Sequence, residues 1–144
     1  MFHKVVAAYN ESPEAERALI SAIKLTKILN GELHAVTLRE ELPGYTAFAG
    51  AADASMSYAL KQDRAQLYER LHEKARGLAL SHGIEVSCHM LEGHGVEAIV
   101  DFLRGQKADL LVIGLHQRDL YIARLWSTVY ELAQDAPCSV LGVH

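Results

Sequence analysis

Short apolar runs alternate along the chain with longer stretches in which apolar residues recur every three to four positions. The short runs predict five strands, at residues 5–9, 32–38, 84–91, 109–114 and 138–143. The longer patterns predict four helices, at residues 13–29, about 56–82, 96–103 and 122–133. The unbroken apolar run at 110–113 is typical of a strand buried on both faces of a helix-covered parallel sheet. The sequence therefore predicts one α/β domain over residues 1–144, a doubly wound five-stranded parallel sheet with helices on both faces.

Local signals mark the ends of these elements. Ser12 is a natural N-cap of the first helix, and Pro13 suits the first helical position because that position needs no N–H donor. Asn30 with Gly31 favours a left-handed C-terminal stop. Residues 39–55 break the rhythm and predict a long mobile connection, a kind of loop that is usually functional or disordered.

Composition and charge exclude several classes of protein. The formal net charge is −4 and no Lys/Arg cluster is present, so we expect no nucleic-acid partner. No apolar stretch reaches the ~18 residues of a membrane span, and no signal peptide precedes the first strand, so we expect no membrane association. Cys88 and Cys138 lie far apart without a CxxC motif and predict buried, reduced thiols. These features indicate a cytoplasmic protein.

In doubly wound sheets, ligands bind beyond the carboxyl ends of the strands, where the strand order reverses. The flavodoxin-like order 3-2-1-4-5 places this crevice between strands one and four. The residues that follow those two strands, 9–12 and 114–118, are therefore the ones to weigh as ligand contacts.

Motifs for catalysis and metal binding are weak in this sequence. Residues 93–98 fit the dinucleotide fingerprint G-x-G-x-x-A, but no acidic residue ends the next strand, so we interpret them as a tight β–α turn. The eight histidines show no metal-binding spacing, and no G-x-S-x-G elbow occurs. We therefore expect no metal site and assign no catalytic residue.

Three segments, SPEAERAL, ADLLVIG and APCSVLGV, resemble the universal stress protein family at matching positions, and the resemblance extends over essentially the whole chain. It implies a five-stranded doubly wound domain and a homodimer in which strand five, from Cys138 to Val143, pairs with its symmetry mate. The apolar character of this strand favours the same expectation. A strand at the edge of the sheet without protecting charges or prolines offers free N–H and C=O groups to another chain.

Nucleotide-binding members of that family carry an aspartate at the end of strand one and the pattern G-x₂-G-x₉-G-[S/T] after strand four. This sequence has Asn10 at the aspartate position, retains Gly114 and Thr128, and replaces the other two glycines by Gln117 and Ser127. It is similar in this respect to the A-type branch, which implies no nucleotide binding. The lost glycines agree with that implication, since phosphate loops need positive φ angles and a close backbone approach.

Three functions remain open. The first is a dimeric stress-response module without a cofactor, which acts through protein contacts or a small ligand other than ATP. The second is an adenine nucleotide sensor for AMP or ATP with a degenerate phosphate loop. The third is a nucleotide hydrolase, by fold analogy alone. The candidate crevice residues are Asn10, Ser12, Val36, Gly114, His116, Gln117, Ser127 and Thr128.

Overall fold

The computed structural model describes residues 1–39, 54–115 and 122–144, with only the backbone described for 54–61 and 122–128. Strands and helices alternate along these segments. The strands are β1 (Lys4–Ala8), β2 (Glu32–Leu38), β3 (Val86–Leu91), β4 (Leu110–Gly114) and β5 (Ser139–Val143). The helices are α1 (Pro13–Leu29), α2 (Ala54–Ser81), α3 (Gly95–Gln106) and α4 (Ile122–Asp135). The predicted connection at 39–55 falls mostly on residues 40–53, which lie outside the described segments.

The five strands form one parallel sheet in the order β3-β2-β1-β4-β5. Val6 of the central strand pairs with His34 on one side and with Leu111 on the other. The predicted fold and strand order are thus confirmed. Strand three begins at Val86 instead of residue 84, because the Ile84 N–H donates to the Ala79 carbonyl over 3.1 Å and closes the turn after α2.

Helix α1 has the ends that its sequence predicts. Ser12 caps it by accepting the Ala15 N–H on Oγ over 3.2 Å, and Pro13 occupies its first turn. Asn30 ends the helix in the left-handed conformation, with φ of 52°. Its buried face consists of small and branched residues at helical spacing, namely Ala15, Ala18, Leu19, Ala22, Ile23 and Thr26.

Two apolar cores lie on opposite faces of the sheet. Val112 packs with α1 and α2, whereas Leu111 packs with α3 and α4, and both residues are fully buried. This alternation is the pleat of a strand that is covered on both sides. A rigid sheet covered in this way holds its carboxyl edge in place for ligand binding.

None of the helices in the described segments is long and apolar enough to cross a membrane.

Candidate binding cavity

A cavity of about 670 Å³ lies at the carboxyl edge of the sheet. Its floor is formed by the ends of β1, β2 and β4, and its walls come from the β1–α1 turn, the β3–α3 turn, α2 and α4. The Tyr9 N–H donates to the Val36 carbonyl over 2.9 Å, which extends the β1–β2 pairing to the cavity floor. The cavity thus lies at the position that the topology predicts, where the strand order reverses.

The β1–α1 turn uses two of its backbone N–H groups for hydrogen bonds within the turn. The Ser12 N–H donates to Asn10 Oδ1 over 2.9 Å, and the Ala15 N–H donates to Ser12 Oγ. Pro13 has no N–H to offer. A helix N-terminus binds anions through free N–H groups, and this one has few of them left for a ligand.

Gly114, at the end of β4, lies against the first turn of α1. A Cβ atom at this position would lie 2.5 Å from the carbonyl carbon and oxygen of Glu14 and 2.9 Å from the Ala15 nitrogen. Real Cβ atoms do not approach backbone that closely, so only glycine fits without moving β4 away from α1. The glycine retained from the motif therefore serves the packing of sheet and helix.

The β3–α3 turn forms another wall of the cavity. Gly93 has φ of 121°, a conformation that side chains rarely adopt, so the structure supports the interpretation of this segment as a tight turn. His94 precedes α3 as its N-cap residue but makes no capping hydrogen bond with its side chain. Beside this turn, Arg39 Nη1 donates to Glu92 Oε1 over 3.0 Å. This ion pair links the ends of β2 and β3 at the rim, and the turn itself places the first residue of α3, Gly95, in the cavity lining.

Helix α2 contributes Arg64, Leu67 and Tyr68 to the cavity, and the sequence reasoning did not include them. A crossover helix between parallel strands starts at the carboxyl edge and runs back to the amino edge. The first turns of such a helix therefore lie beside the ligand crevice, and this rule could have found these residues. Arg64 and Arg39 bring positive charge to a cavity whose other rim carries Glu11.

One buried polar pair lies at the cavity floor. The Thr37 hydroxyl is buried, and its Oγ1 lies 3.2 Å from His72 Nε2 on α2. Burial lowers the pKa of His72, with a further contribution from the charge of Arg76. His72 is therefore neutral at pH 7 and forms a hydrogen bond that ties α2 to β2 under the cavity.

The structure brings together four of the eight predicted crevice residues. Asn10, Ser12, Val36 and Gly114 all line the cavity, and Val36 is buried. His116 and Gln117 belong to the segment 116–121, about which the structure gives no description. Ser127 and Thr128 lie within α4, where only the backbone is described.

The two cysteines are free and half-buried, on β3 and just before β5. Burial raises the pKa of both the Cys88 and the Cys138 thiols, which makes them poor nucleophiles at neutral pH. Within the residues whose side chains are described, no three His, Cys, Asp or Glu side chains converge closely enough to hold a metal ion.

Comparison with known proteins points to one family. The sequence model described as the universal stress protein family matches residues 1–144. A relative from Thermus aquaticus, named universal stress protein in QAH/OAS sulfhydrylase 3′ region, is 29% identical over 144 residues, which is 99% of both chains.

Solved structures with the same fold include two that hold adenosine monophosphates. A universal stress protein in complex with cAMP has a TM-score of 0.76 and 22% identity, and the match covers 99% of this chain and 97% of the other. The universal stress protein from Archaeoglobus fulgidus in complex with dAMP has a TM-score of 0.70 and 22% identity, with 100% and 98% coverage. At this identity the likeness concerns the fold.

Proposed function

Because the chain belongs to the universal stress protein family, we propose that it is a stress-response module whose cavity binds an adenosine monophosphate in preference to ATP. The observation that carries this proposal is the combination of a roomy cavity at the carboxyl edge with a β1–α1 turn in which the N–H groups of Ser12 and Ala15 are already bonded. The cavity can hold a nucleoside, but the turn offers little to a polyphosphate.

The size and lining of the cavity suit a nucleoside. Ligand sites commonly enclose roughly 300–1,000 Å³ and combine apolar walls with a few polar groups. Here Val36, Leu67 and Ile113 supply apolar surface, while Arg64 and Arg39, the latter paired with Glu92, are the cationic side chains of the lining that a single phosphate could approach. The fold relatives that hold cAMP and dAMP support the choice of this ligand class.

Negative charge and lost glycines oppose a triphosphate. Glu11 is exposed on the rim beside Asn10, and its carboxylate repels a polyanion more strongly than it repels a monoanion. Gln117 and Ser127 stand where the nucleotide-binding motif has glycines. The sequence thus lacks the flexible backbone that would cradle β- and γ-phosphates.

Thermal unfolding with AMP, cAMP, ADP and ATP plus Mg²⁺ tests the proposal. A ligand at 100 times its Kd stabilises the folded state by about 2.7 kcal/mol, so binding of AMP or cAMP appears as a clear rise in Tm. Leu67→Glu places a carboxylate in the cavity wall and should abolish the rise. Leu80→Glu is the matched control, since Leu80 lies on the same helix, is 73% exposed and does not line the cavity.

Two outcomes would contradict the proposal. Stabilisation by ATP that exceeds that by AMP would show that the degenerate loop still binds triphosphates. No stabilisation by any of the four nucleotides would leave protein contacts or an unrelated small ligand as the basis of function. The hydrolase alternative gains no support from the described cavity residues.

We also propose that the protein is a cytoplasmic homodimer that pairs through β5. Within the described segments, β5 forms a ladder with β4 on one side, and its middle residue Leu141 is 38% exposed. Antiparallel pairing with a second copy would satisfy the outer N–H and C=O groups of β5 and cover this side chain. The two free cysteines fit a reducing compartment.

A further inference from the structure

A pair of histidines, one buried and one half-buried, joins β2 to β3 on the face of the sheet covered by α3. His34 Nδ1 lies 2.9 Å from His89 Nε2, and the two rings stack with their centroids 5.1 Å apart. On its other side, His34 Nε2 lies 3.0 Å from Glu32 Oε1. His34 is only 6% exposed, and Phe102 of α3 covers the His89 ring at 4.8 Å between centroids.

The hydrogen bonds assign the protons of this pair. An ionised Glu32 carboxylate can only accept, so His34 Nε2 carries a hydrogen and donates to it. Neutral His34 must then accept at Nδ1, and His89 Nε2 is the donor across the 2.9 Å contact. Both nitrogens of His34 are thus used, and they point in opposite directions. A single metal ion could not be shared by Glu32, His34 and His89 in this arrangement.

The surroundings of the pair contain few charges. Glu32 on β2 has Lys4 Nζ and His3 Nε2 of the β1 end on its far side, each at 4.0 Å. Helix α3 presents the apolar ring of Phe102, and the charged Arg104 of α3 pairs with Asp101 at 3.5 Å. On the opposite face of the sheet, His72 of α2 acts on His89 electrostatically.

We propose that Glu32, His34 and His89 form a proton-operated latch that fastens β3 and α3 to β2 at neutral pH and releases them in acid. The pair tolerates one added proton, because an imidazolium can donate to a neutral neighbour. It cannot hold two, because both nitrogens of the 2.9 Å contact would then carry hydrogen. The second proton must break the side-chain contact between His34 and His89, which removes one of the interactions that hold β3 to β2.

The direction of the pH effect follows from proton counting. Burial and the neighbouring His34 both lower the pKa of His89 in the folded state. In the unfolded chain, both histidines take up protons near pH 6.5. Below that pH the folded protein therefore binds one proton fewer than the unfolded chain. The contribution of the pair to the free energy of unfolding is complete above about pH 6.5 and falls as the pH drops. The unfolding equilibrium constant should rise by up to about tenfold for each pH unit in this range.

Amide hydrogen exchange, expressed as protection factors at pH 7.5 and pH 5.5, locates the release. We expect protection to fall in β3 and α3 more than in β4. Urea unfolding from pH 7.5 to pH 5 then compares the wild type with His89→Gln, which keeps a donor for His34 but removes one titrating group. In the variant, the unfolding equilibrium constant should depend less steeply on pH than in the wild type, by up to about a factor of ten for each pH unit.

Two variants serve as controls. His82→Gln removes a histidine at the end of α2, outside the latch, and should retain the full pH dependence. His72→Gln removes the other histidine whose pKa is lowered, and should reduce the His89-dependent part only slightly, because burial and His34 lower the pKa of His89 more than His72 does. An identical pH dependence in wild type and His89→Gln would overturn the proposal.

A second measurement covers the case in which His89→Gln does not fold. Nitrogen-15 NMR of the imidazoles in the wild type should show that the two rings are never both doubly protonated while β3 remains protected from exchange. Full protonation of both rings in one step near pH 6.5, with β3 still protected from exchange, would contradict the latch.

Discussion

Asn10 Oδ1 accepts the backbone N–H of Ser12 over 2.9 Å, so the side chain at the family's aspartate position turns back onto its own backbone. This bond, together with the Ser12 cap on Ala15, occupies two of the backbone N–H groups that the start of α1 could offer to a ligand. The proposed preference for a monophosphate over ATP therefore has a local structural basis, in addition to the glycines missing at 117 and 127.

Restoring the motif should create ATP binding. The triple variant Asn10→Asp, Gln117→Gly and Ser127→Gly returns the carboxylate and the two flexible positions, and calorimetry should show ATP binding at least about tenfold tighter than in the wild type, a gain of 1.4 kcal/mol. Asn10→Asp alone keeps both bulky side chains and should show no gain. Tight ATP binding by the unmodified protein would contradict the prediction at once.

Gly114→Ala should destabilise the protein by about 1–3 kcal/mol, because the new methyl group would overlap the backbone of Glu14. Gly77→Ala is the matched control. It lies within α2 with no atom within 4 Å of the added Cβ, and should be neutral or stabilising by about 0.5–1 kcal/mol. Urea unfolding measures both, and equal midpoints for the two variants would show that β4 and α1 can separate without cost.

Asp109 anchors the start of the central strand. Its Oδ2 accepts the N–H groups of Lys4 over 2.8 Å and His3 over 3.0 Å, and these bonds, that from Lys4 first, lower the pKa of its carboxyl. These two hydrogen bonds stabilise the folded state fully at any pH above the ordinary pKa of a carboxyl group. The stabilisation is lost as the pH falls through the lowered pKa of Asp109.

Asp109→Asn should therefore lower the urea midpoint at pH 7, and the difference from the wild type should shrink as acid neutralises the wild-type carboxyl. Asp101→Asn, which alters an exposed ion pair on α3, should leave the midpoint nearly unchanged. A constant difference between wild type and Asp109→Asn as the pH falls would mean that the charge of Asp109 plays no part.

Leu141→Lys should weaken the dimer. Leu141 is the middle residue of the five-residue β5, so two-fold antiparallel pairing brings the side chain close to its own copy. Two ammonium groups at that position repel each other, and every 1.4 kcal/mol of repulsion raises the dissociation constant tenfold. Light scattering after size-exclusion chromatography should give twice the 15.9 kDa chain mass for the wild type and a lower mass for the variant.

Ile28→Lys is the control for the same charge change, on an 80%-exposed residue of α1. It should leave the mass unchanged. A wild-type mass near that of one chain at micromolar concentration would rule out the β5 dimer.

The fold could be predicted from the sequence because each element carries its own local signal. The apolar run of β4 needs burial on both faces, and Ser12 and Asn30 mark both ends of α1 before any tertiary contact is known. These signals act over a few residues, where hydrophobic periodicity and capping decide the structure. The resemblance to the universal stress protein family implied a five-stranded doubly wound domain, which agrees with the observed strand order.

The candidate site was predicted only in part, because the missing contacts depend on residues far apart in sequence. His34 and His89 are 55 residues apart and meet only through the β2–β3 register. A shift of one residue would place them on opposite faces of the sheet. The hydrogen bond from the Ser12 N–H to Asn10 Oδ1 depends on the side-chain conformation of Asn10, which the residue type alone does not specify.

The central position of β1 also has a consequence for the order in which the molecule is assembled during synthesis. β1, α1 and β2 are contiguous, so they can pair as soon as they have emerged from the ribosome. The other edge of β1 must wait for β4, since Lys4 and its partner Asp109 are 105 residues apart. Closing such a long loop carries a large entropic cost, which slows this step relative to local pairing. The nascent chain therefore spends most of its synthesis with one edge of its central strand exposed, and it depends on late pairing with β4 to avoid pairing with a neighbour.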